Sequence, residues 1–290
     1  MRTKKVGFLL GLFFLGAISV SAQQTWNTTI YFDYSYNLTN DGYKTALQKE
    51  LNNQFNFRRA YFTYENKISD NLKFRFRYDA DYVKAVDASA KKDDKLRPFM
   101  KHLYVEYSGL LPNSSLKIGM SDTITFKLAE DRWGYRSVAK TLTDGYKDIT
   151  GKEIDASSAD VGISLTGRIV KQIRYGFMAS NGAGYAHPEG DKYKKFAGQV
   201  HLLPVAGLSL VGYVDYEKQT ASDRAWTYKL DAFFEMVRGL TLGGEWFSYD
   251  NSLNRNSDLA HYNVSGYSVF GRFVAVQDKL NLFARFDRYE

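Results

Sequence analysis

Residues 72–82 read LKFRFRYDADY, and this stretch decides the fold class. Apolar or aromatic side chains stand at every second position from Leu72 to Tyr82, and charged side chains fill the positions from Lys73 to Asp81. Alternate side chains of a β-strand point to opposite faces, so the stretch predicts a strand with one apolar and one charged face. Strands in globular proteins usually have about 5–6 residues, whereas a tilted strand crosses a bilayer in about 9–11 residues. The pattern and its length together favour a membrane-spanning strand.

The same alternation recurs after residue 22 and predicts thirteen strands. The predicted strands cover residues 26–36, 54–66, 72–82, 99–107, 116–120, 160–166, 173–180, 196–202, 208–217, 226–235, 240–246, 267–273 and 280–287. Residues 57–60 (FRRA) break the alternation of the second strand and predict a β-bulge there. Beyond the first 22 residues the sequence shows no strong helical pattern and no apolar run long enough for a membrane helix.

The connections between the predicted strands alternate between short turns and long polar loops. The long loops cover residues 38–53, 84–97, 122–158, 181–194, 218–224 and 251–263. Short turns at one end and long loops at the other are typical of outer-membrane barrels. Unpaired backbone groups are costly in hydrocarbon, so strands that span a membrane must close on themselves. We therefore predict an all-β protein, a transmembrane antiparallel up-and-down β-barrel over residues 23–290.

The predicted number of strands is odd, whereas single-chain bacterial barrels have an even number. The sequence stops inside or just after a strand, at residues 286–290 (FDRYE), without the terminal aromatic residue on which such barrels usually end. We therefore expect either a truncated sequence, with a total of about 16 strands and an aqueous channel, or a count that is wrong by one. In the second case the barrel has about 12 or 14 strands.

Residues 1–22 have the features of a secretory signal peptide. Arg2, Lys4 and Lys5 precede the apolar run at residues 6–20, and small residues lead to a predicted cleavage after Ala22. A membrane anchor is the alternative for this segment, although the run is short and a cleavage site follows it. The chain has no Cys, which excludes a lipoprotein, a disulfide scaffold and a Cys nucleophile. Export and a barrel together predict location in a bacterial outer membrane.

Aromatic residues are abundant, with 22 Tyr, 20 Phe and 4 Trp. Tyr and Trp form girdles at both membrane interfaces of β-barrels. The candidates near predicted strand ends are Trp26, Tyr36, Tyr82, Tyr107 and Trp246. The alternative is that some of them pack in a soluble core. The formal net charge of +7 includes the cations of the signal peptide, so the exported protein is only mildly basic and no nucleic-acid partner is expected.

Five segments of the chain, in this order, resemble the phosphate-selective porin O/P family and related Bacteroidetes-type porins. They are residues 57–61 (FRRAY), 72–79 (LKFRFRYD), 116–120 (LKIGM) followed by Glu130, 180–182 (SNG) and 283–287 (FARFD). The resemblance implies a 16-stranded barrel, passive solute flux and frequent assembly as a homotrimer. Anion-selective members line the pore with Arg and Lys, whereas this chain mixes acids among its cations.

Charged residues on the predicted inward faces are candidates for the pore wall. They are Lys73, Arg75, Arg77, Asp79, Asp81, Lys117 and Arg174. Lys73, Arg75 and Arg77 would form a basic row, and a row of one charge sign biases which ions enter a channel. The alternative is that acids predicted on the same face of other strands neutralise this row. Those acids are Asp160, Asp215, Glu217, Asp231, Glu235 and Glu245.

The loop at residues 122–158 is 37 residues long, and loops of this length are usually functional. In porins a loop that follows an early hairpin folds into the lumen, so we expect this loop to narrow the pore. The residues that would form the constriction are Lys127, Glu130, Arg132, Trp133, Tyr135 and Arg136. A solvated surface loop is the alternative.

The predicted function is therefore that of an outer-membrane porin, a channel for passive diffusion of small hydrophilic or anionic solutes, with phosphate as one candidate. Its expected partners are outer-membrane lipid and the solutes, and no enzyme activity, cofactor or metal is expected. The four His residues lack metal-ligand spacing, and there is no G-x-S-x-G motif or P-loop. Two alternatives stay open, a secreted soluble β-sandwich that binds carbohydrate and an outer-membrane barrel hydrolase, for which His201 beside Gln199 is the candidate.

Overall fold

The computed structural model describes residues 23–36, 53–82, 96–125, 127–145, 158–218, 221, 224–251 and 262–290. The predicted signal peptide at residues 1–22 and its cleavage site lie outside the described residues. The strands are β1 (Gln23–Tyr36), β2 (Asn53–Lys67), β3 (Leu72–Tyr82), β4 (Leu96–Ser108), β5 (Ser114–Asp122), β6 (Ala159–Val170), β7 (Ile173–Ser180), β8 (Lys195–Leu202), β9 (Leu208–Lys218), β10 (Arg224–Phe234), β11 (Leu240–Asn251), β12 (Tyr262–Val276) and β13 (Leu280–Tyr289).

The thirteen strands form one sheet whose order follows the sequence from β1 to β13. Strands that are neighbours in this order pair antiparallel. The predicted antiparallel up-and-down architecture is confirmed, and its strand number matches the alternation of the sequence. The β-sandwich alternative is wrong, because the strands form a single meander and not two stacked layers.

The two faces of the sheet differ in chemistry as the alternation predicts. The outer face carries large apolar side chains, and Leu230, Val269 and Phe286 are each 59% exposed on it. The opposite face, here called the inner face, carries most of the charged strand residues, among them the buried Lys229 and Glu245. A sheet face covered with exposed apolar side chains marks a contact with membrane or protein.

Two β-bulges change which side chains reach the inner face. The register of β1 and β2 passes from Tyr31 opposite Arg59 to Phe32 opposite Phe57, which leaves Arg58 as the extra residue. This confirms the bulge predicted at residues 57–60. A second register shift, between β3 and β4, leaves Lys101 as the extra residue of β4, with no β3 residue opposite its backbone, next to His102. Both of these β4 side chains are buried.

The connection from β5 to β6 contains two short helices, α1 (Lys127–Trp133) and α2 (Leu142–Gly145). The sequence shows no strong helical pattern beyond the signal peptide, and it did not predict these two helices. The helices have 7 and 4 residues, too few for a helical repeat to stand out in the sequence. No helix in the described ranges is long and apolar enough to cross a membrane.

The predicted aromatic girdle positions are only partly at strand ends. Trp26 lies near the start of β1 and Tyr107 near the end of β4, and both are exposed on the outer face. Trp246 lies in the middle of β11, because the strand continues to Asn251, and its placement near a strand end is wrong. Tyr36 and Tyr82 end their strands, and their side chains lie outside the described part of the structure.

Candidate functional site

The inner face of β3 carries four of the residues predicted to line the pore: Lys73, Arg75, Arg77 and Asp79. The Nη1 atom of Arg75 lies 3.2 Å from Glu65 Oε1 on β2. Arg77 instead donates from Nε to the hydroxyl of Thr63, at 2.8 Å. The side chain of Asp81 lies outside the described residues. The basic row therefore contains one arginine with a carboxylate partner and one with a neutral partner.

Asp79 is fully buried and gathers two cations that the sequence analysis did not single out. Its Oδ2 atom lies 3.4 Å from Arg59 Nε and 3.5 Å from Lys101 Nζ. Tyr61 joins the same cluster, since Arg59 donates to its hydroxyl at 2.8 Å and the Lys101 ammonium lies 5.2 Å from its ring centroid. The bulges at Arg58 and Lys101 bring these cations together, and the hydrophobic alternation alone gives no signal for that contact.

The segment 127–145, here called the inner loop, packs on the inner face of β9–β13 through an aromatic cluster. Trp133 is 1% exposed, and its ring centroid lies 5.3 Å from that of Phe270 and 5.7 Å from that of Phe283. Tyr135 stacks on Phe283 at 4.1 Å. The Trp133 indole donates to the carbonyl of Ala139 at 2.9 Å, so its one polar group is satisfied. Trp133 and Tyr135 thus attach the loop to the wall.

Three hydrogen bonds connect backbone carbonyls of the inner loop to both ends of the sheet. Arg58 of β2 donates to Ser137 O at 2.6 Å. From β13, Arg285 donates to Lys140 O at 2.7 Å, and the Tyr289 hydroxyl donates to Leu142 O at 3.0 Å. The loop therefore lies across the inner face and contacts strands near both ends of the strand order.

Arg136 holds the two helices of the inner loop together. Its Nη1 atom lies 2.7 Å from Glu130 Oε2 and 2.5 Å from Asp144 Oδ2. Burial alone would lower the pKa of Arg136, but the carboxylates of Asp144 and Glu130 outweigh it and raise the pKa. Arg136 is therefore a permanent charge, and the geometry that it fixes does not depend on pH while the two carboxylates are ionised.

The residues before α1 are fixed by polar side chains of the wall. Gln199 donates to Ile124 O at 2.9 Å, and Lys229 donates to Thr125 O at 3.4 Å. Lys229 Nζ also lies 3.0 Å from Asp231 Oδ2 and 3.2 Å from Glu245 Oε2. One buried ammonium thus serves two buried carboxylates and the start of the loop.

The acids proposed to neutralise the basic row mostly have other partners. Asp231 and Glu245 pair with Lys229, while Asp215 pairs with Lys195 at 3.2 Å. Two further acids of that set are also engaged away from the row. Glu235 accepts from Arg132 at 2.7 Å, and Asp160 accepts from the backbone amide of Gly182 at 2.7 Å.

A cavity of about 1050 Å³ lies between the inner loop and the inner face of β1–β6. Side chains of both signs line it, including four cations of the wall and three charged residues of the loop: Arg75, Arg77, Lys101, Lys117, Lys127, Glu130 and Arg136. Lys117 pairs with Asp122 at 2.8 Å. The structure therefore brings most of the predicted pore residues and three of the predicted loop residues to one water-accessible space.

The other predicted residues lie elsewhere. Arg132 reaches the turn between β10 and β11 through its ion pair with Glu235. Arg174 lies on the inner face of β7, directly opposite His201 of β8. His201 has no hydrogen bond at Nε2 in the described part of the chain, so the hydrolase alternative gains no Ser–His pair there. Within the same ranges, no group of three or more His, Asp or Glu side chains is placed to hold a metal ion.

The apolar residues of the inner face are the feature that the sequence analysis missed. Val211, Phe233 and Phe270 occupy positions in the polar phase of their strands, and all three are buried in the cluster under Trp133. A water-filled lumen would not favour apolar side chains there. Apolar residues at these otherwise polar positions of the alternation indicate, in the sequence itself, that another segment covers part of the inner face.

No family model and no curated protein matches the sequence. Several solved structures match the fold. OmpF of Salmonella typhi, in complex with daunomycin, has a TM-score of 0.61 and 11% identity over 92% of this chain and 78% of that chain. An anion-selective porin from Comamonas acidovorans has a TM-score of 0.55 and 12% identity, covering 92% and 79% of the two chains. The outer-membrane channel DcaP of Acinetobacter baumannii has a TM-score of 0.52 and 11% identity, with 92% and 79% coverage.

At these identities the comparison establishes the fold and no more. The thirteen-stranded meander has the fold of outer-membrane porin barrels. The resemblance to the phosphate-selective porin O/P family has no matching family model and stays a prediction.

Proposed function

We propose that this chain is an outer-membrane porin, a water-filled channel through which small hydrophilic or anionic solutes, including phosphate, diffuse passively. The observation that carries the proposal is the inner loop, which lies across a charged inner face and leaves a cavity of about 1050 Å³ beside it. The outer face is apolar over the same strands, which suits contact with lipid. A membrane channel made of strands requires an apolar outer face that contacts lipid and a polar inner face that contacts water.

The proposal includes the location and assembly of the protein. Residues 1–22 would direct export and be cleaved after Ala22, and the barrel would insert into a bacterial outer membrane. Assembly as a homotrimer is part of the proposal because the resemblance to the porin O/P family implies it.

The constriction is the second part of the proposed mechanism. Lys127, Glu130 and Arg136 of the inner loop face the cations of β3–β5 across the cavity, so a solute that passes must move between charged walls. Charges that line a narrow passage bias which ions enter it. Eight Lys or Arg side chains and five Asp or Glu side chains line the cavity, so the charge of its wall favours anions.

The test of the proposed function is single-channel recording of the full chain, refolded in detergent and inserted in a planar bilayer. We expect stepwise currents whose conductance rises with salt concentration and increases when residues 127–145 are deleted. Absence of current steps from a membrane-inserted protein would reject the porin. Steps of unchanged size after the deletion would reject only the constriction by the inner loop.

A further inference from the structure

A second long connection bends towards the inner face of the sheet. Residues 181–194 join β7 to β8, and Tyr185 in this connection stacks on Phe99 of β4 with the two ring centroids 5.6 Å apart. Phe99 lies opposite Asp79 in the register, on the inner face. Strand β4 is three strands away from β7 in the sheet order, and neighbouring strands lie about 4.8 Å apart. The connection therefore passes over the ends of β5 and β6 instead of extending outward into solvent.

The base of this connection is fixed to β6 by one buried carboxylate. Asp160 accepts hydrogen bonds from the backbone amides of Val161 and Gly182, each at 2.7 Å. Gly182 and Gly184 have φ angles of 93° and 73°, in the left-handed region that residues with a side chain rarely adopt. The two glycines turn the chain between Asp160 and Tyr185, so the inward direction of the connection is set by its backbone.

The Tyr185 ring covers a buried ammonium on β4. The Nζ atom of Lys101 lies 5.1 Å from the ring centroid of Tyr185 and 5.2 Å from that of Tyr61. Lys101 is 3% exposed, and the face of an aromatic ring attracts a cation. Residues 186–188 are exposed, so the connection returns to solvent directly after Tyr185. Tyr185 is thus the residue that attaches this connection to the opposite part of the wall.

The pair of Phe99 and Tyr185, here called the aromatic pair, lies at one end of the large cavity. The cavity of about 1050 Å³ extends from Asp70, in the short turn between β2 and β3, to Lys101. Neither ring of the aromatic pair is among the described residues that line it. Phe99 precedes Lys101 in β4, a strand that begins at the long-loop end of the sheet. A solute that enters from the long loops therefore meets the aromatic pair before it reaches the cavity.

We propose that Tyr185 is a specificity-determining residue, which together with Phe99 restricts the long-loop entrance and sets the size of solute that enters from that side. The inference rests on the proposed porin function and deepens it, since it places a second constriction in series with the inner loop. This constriction acts on size, because its surface is formed by two aromatic rings, whereas the inner loop presents charged side chains to the solute.

Cross-linking tests the position of Tyr185 without any channel measurement. The chain contains no Cys, so Phe99→Cys combined with Tyr185→Cys introduces one defined pair of thiols. We expect a short bifunctional thiol reagent to link this pair efficiently in the membrane-inserted protein. Phe99→Cys combined with Tyr193→Cys is the control, since the Tyr193 ring lies 5.1 Å from the Lys218 ammonium on β9. Failure of the first pair to link, or equal linking of both pairs, would overturn the proposal.

Polymer exclusion tests the restriction itself. Neutral polyethylene glycols of graded size are added to one side of a planar bilayer at a time, and the single-channel conductance reports which of them enter the lumen. In the wild type, we expect a polymer that enters from the short-turn side to be excluded from the long-loop side. Tyr185→Ala should lose this exclusion, whereas Tyr185→Phe keeps the ring and should retain it. Tyr193→Ala is the matched control and should behave as the wild type.

The two experiments separate failure of this constriction from failure of the channel. An efficient cross-link in a protein that shows no current steps would reject the porin, and the restriction of solutes would fall with it although the position of Tyr185 is correct. Current steps with polymer entry from both sides of the wild type would reject the constriction alone. Exclusion that stays unchanged in Tyr185→Ala would also reject it alone.

Discussion

Lys229 is a single side chain on which several inner-face contacts depend. It is 1% exposed, lies within 3.2 Å of two buried carboxylates and donates to the start of the inner loop. Removal of one partner from a buried ion pair costs about 3–5 kcal/mol, because the remaining charge stays buried without compensation. We therefore expect Lys229→Met to lower the free energy of unfolding by about this amount, measured by urea titration of the detergent-folded barrel.

Lys73→Met is the control for that prediction. Lys73 is an exposed lysine of the inner face, so its replacement is expected to change the free energy of unfolding by about 0.5 kcal/mol or less. If the two variants unfold at the same urea concentration, the Lys229 cluster does not stabilise the fold as proposed.

Replacement of Arg75 and of Arg77, one at a time, tests how each arginine contributes to the ion selectivity of the channel. Arg75 has a carboxylate partner in Glu65, whereas Arg77 donates to the neutral hydroxyl of Thr63. Arg77→Ser should therefore remove more uncompensated positive charge from the wall than Arg75→Ser. In a potassium chloride gradient, we expect the reversal potential to move towards that of potassium, and further for Arg77→Ser. A larger movement for Arg75→Ser would contradict the assigned pairing.

Individual side chains also show which features the sequence predicted and which contacts it did not. The alternation predicted the face of Lys73, Arg75 and Arg77, because the face follows from strand position alone. It did not predict that Asp79 pairs with Arg59 and Lys101. That contact depends on the register of β2–β4 and on two bulges, and the alternation predicted only the bulge at residues 57–60.

Among the elements, the inner loop depends most on the Trp133 indole. Trp133, the last residue of α1, packs against the rings of Phe270 and Phe283. Replacement of a buried Trp by Ala costs about 3–5 kcal/mol, and here the cost falls on the attachment of the loop. We expect Trp133→Ala to raise single-channel conductance and current noise, because the loop no longer keeps one position.

Val138→Ala is the control within the same loop, since Val138 is 60% exposed and contributes little to the attachment. Its conductance should equal that of the wild type. If Trp133→Ala also behaves as wild type, the aromatic cluster does not position the loop.

The strands were predicted better than the loop, and the reason is physical. Strand β3 matches its predicted range, because period-2 alternation is a strong local signal. Helices α1 and α2 were missed, since they are short and held by tertiary contacts such as the ion pairs of Arg136. The apolar residues Val211 and Phe233 on the inner face were the available signal for a covering segment.

For the whole molecule, the architecture follows from one repeated constraint. The antiparallel hairpins place most of their apolar side chains on the outer face and most of their polar ones on the inner face, and thirteen strands in sequence order extend this division. The alternation of short and long connections predicted the same order. What the sequence did not predict is that the inner loop contacts β2 and β13 at once, since this contact spans the sheet.

The central claim is that the outer face contacts lipid while the inner face contacts water, and single-cysteine scanning along β3 tests it most directly. The chain contains no Cys, so each introduced thiol is unique. In liposomes, we predict that cysteines at Lys73, Arg75 and Arg77 react with a charged, water-soluble thiol reagent. Cysteines at Phe74, Phe76 and Tyr78 should be protected from it, and a fluorophore attached to them should be quenched by brominated lipid. Equal reactivity on both faces, or quenching on the charged one, would contradict the account.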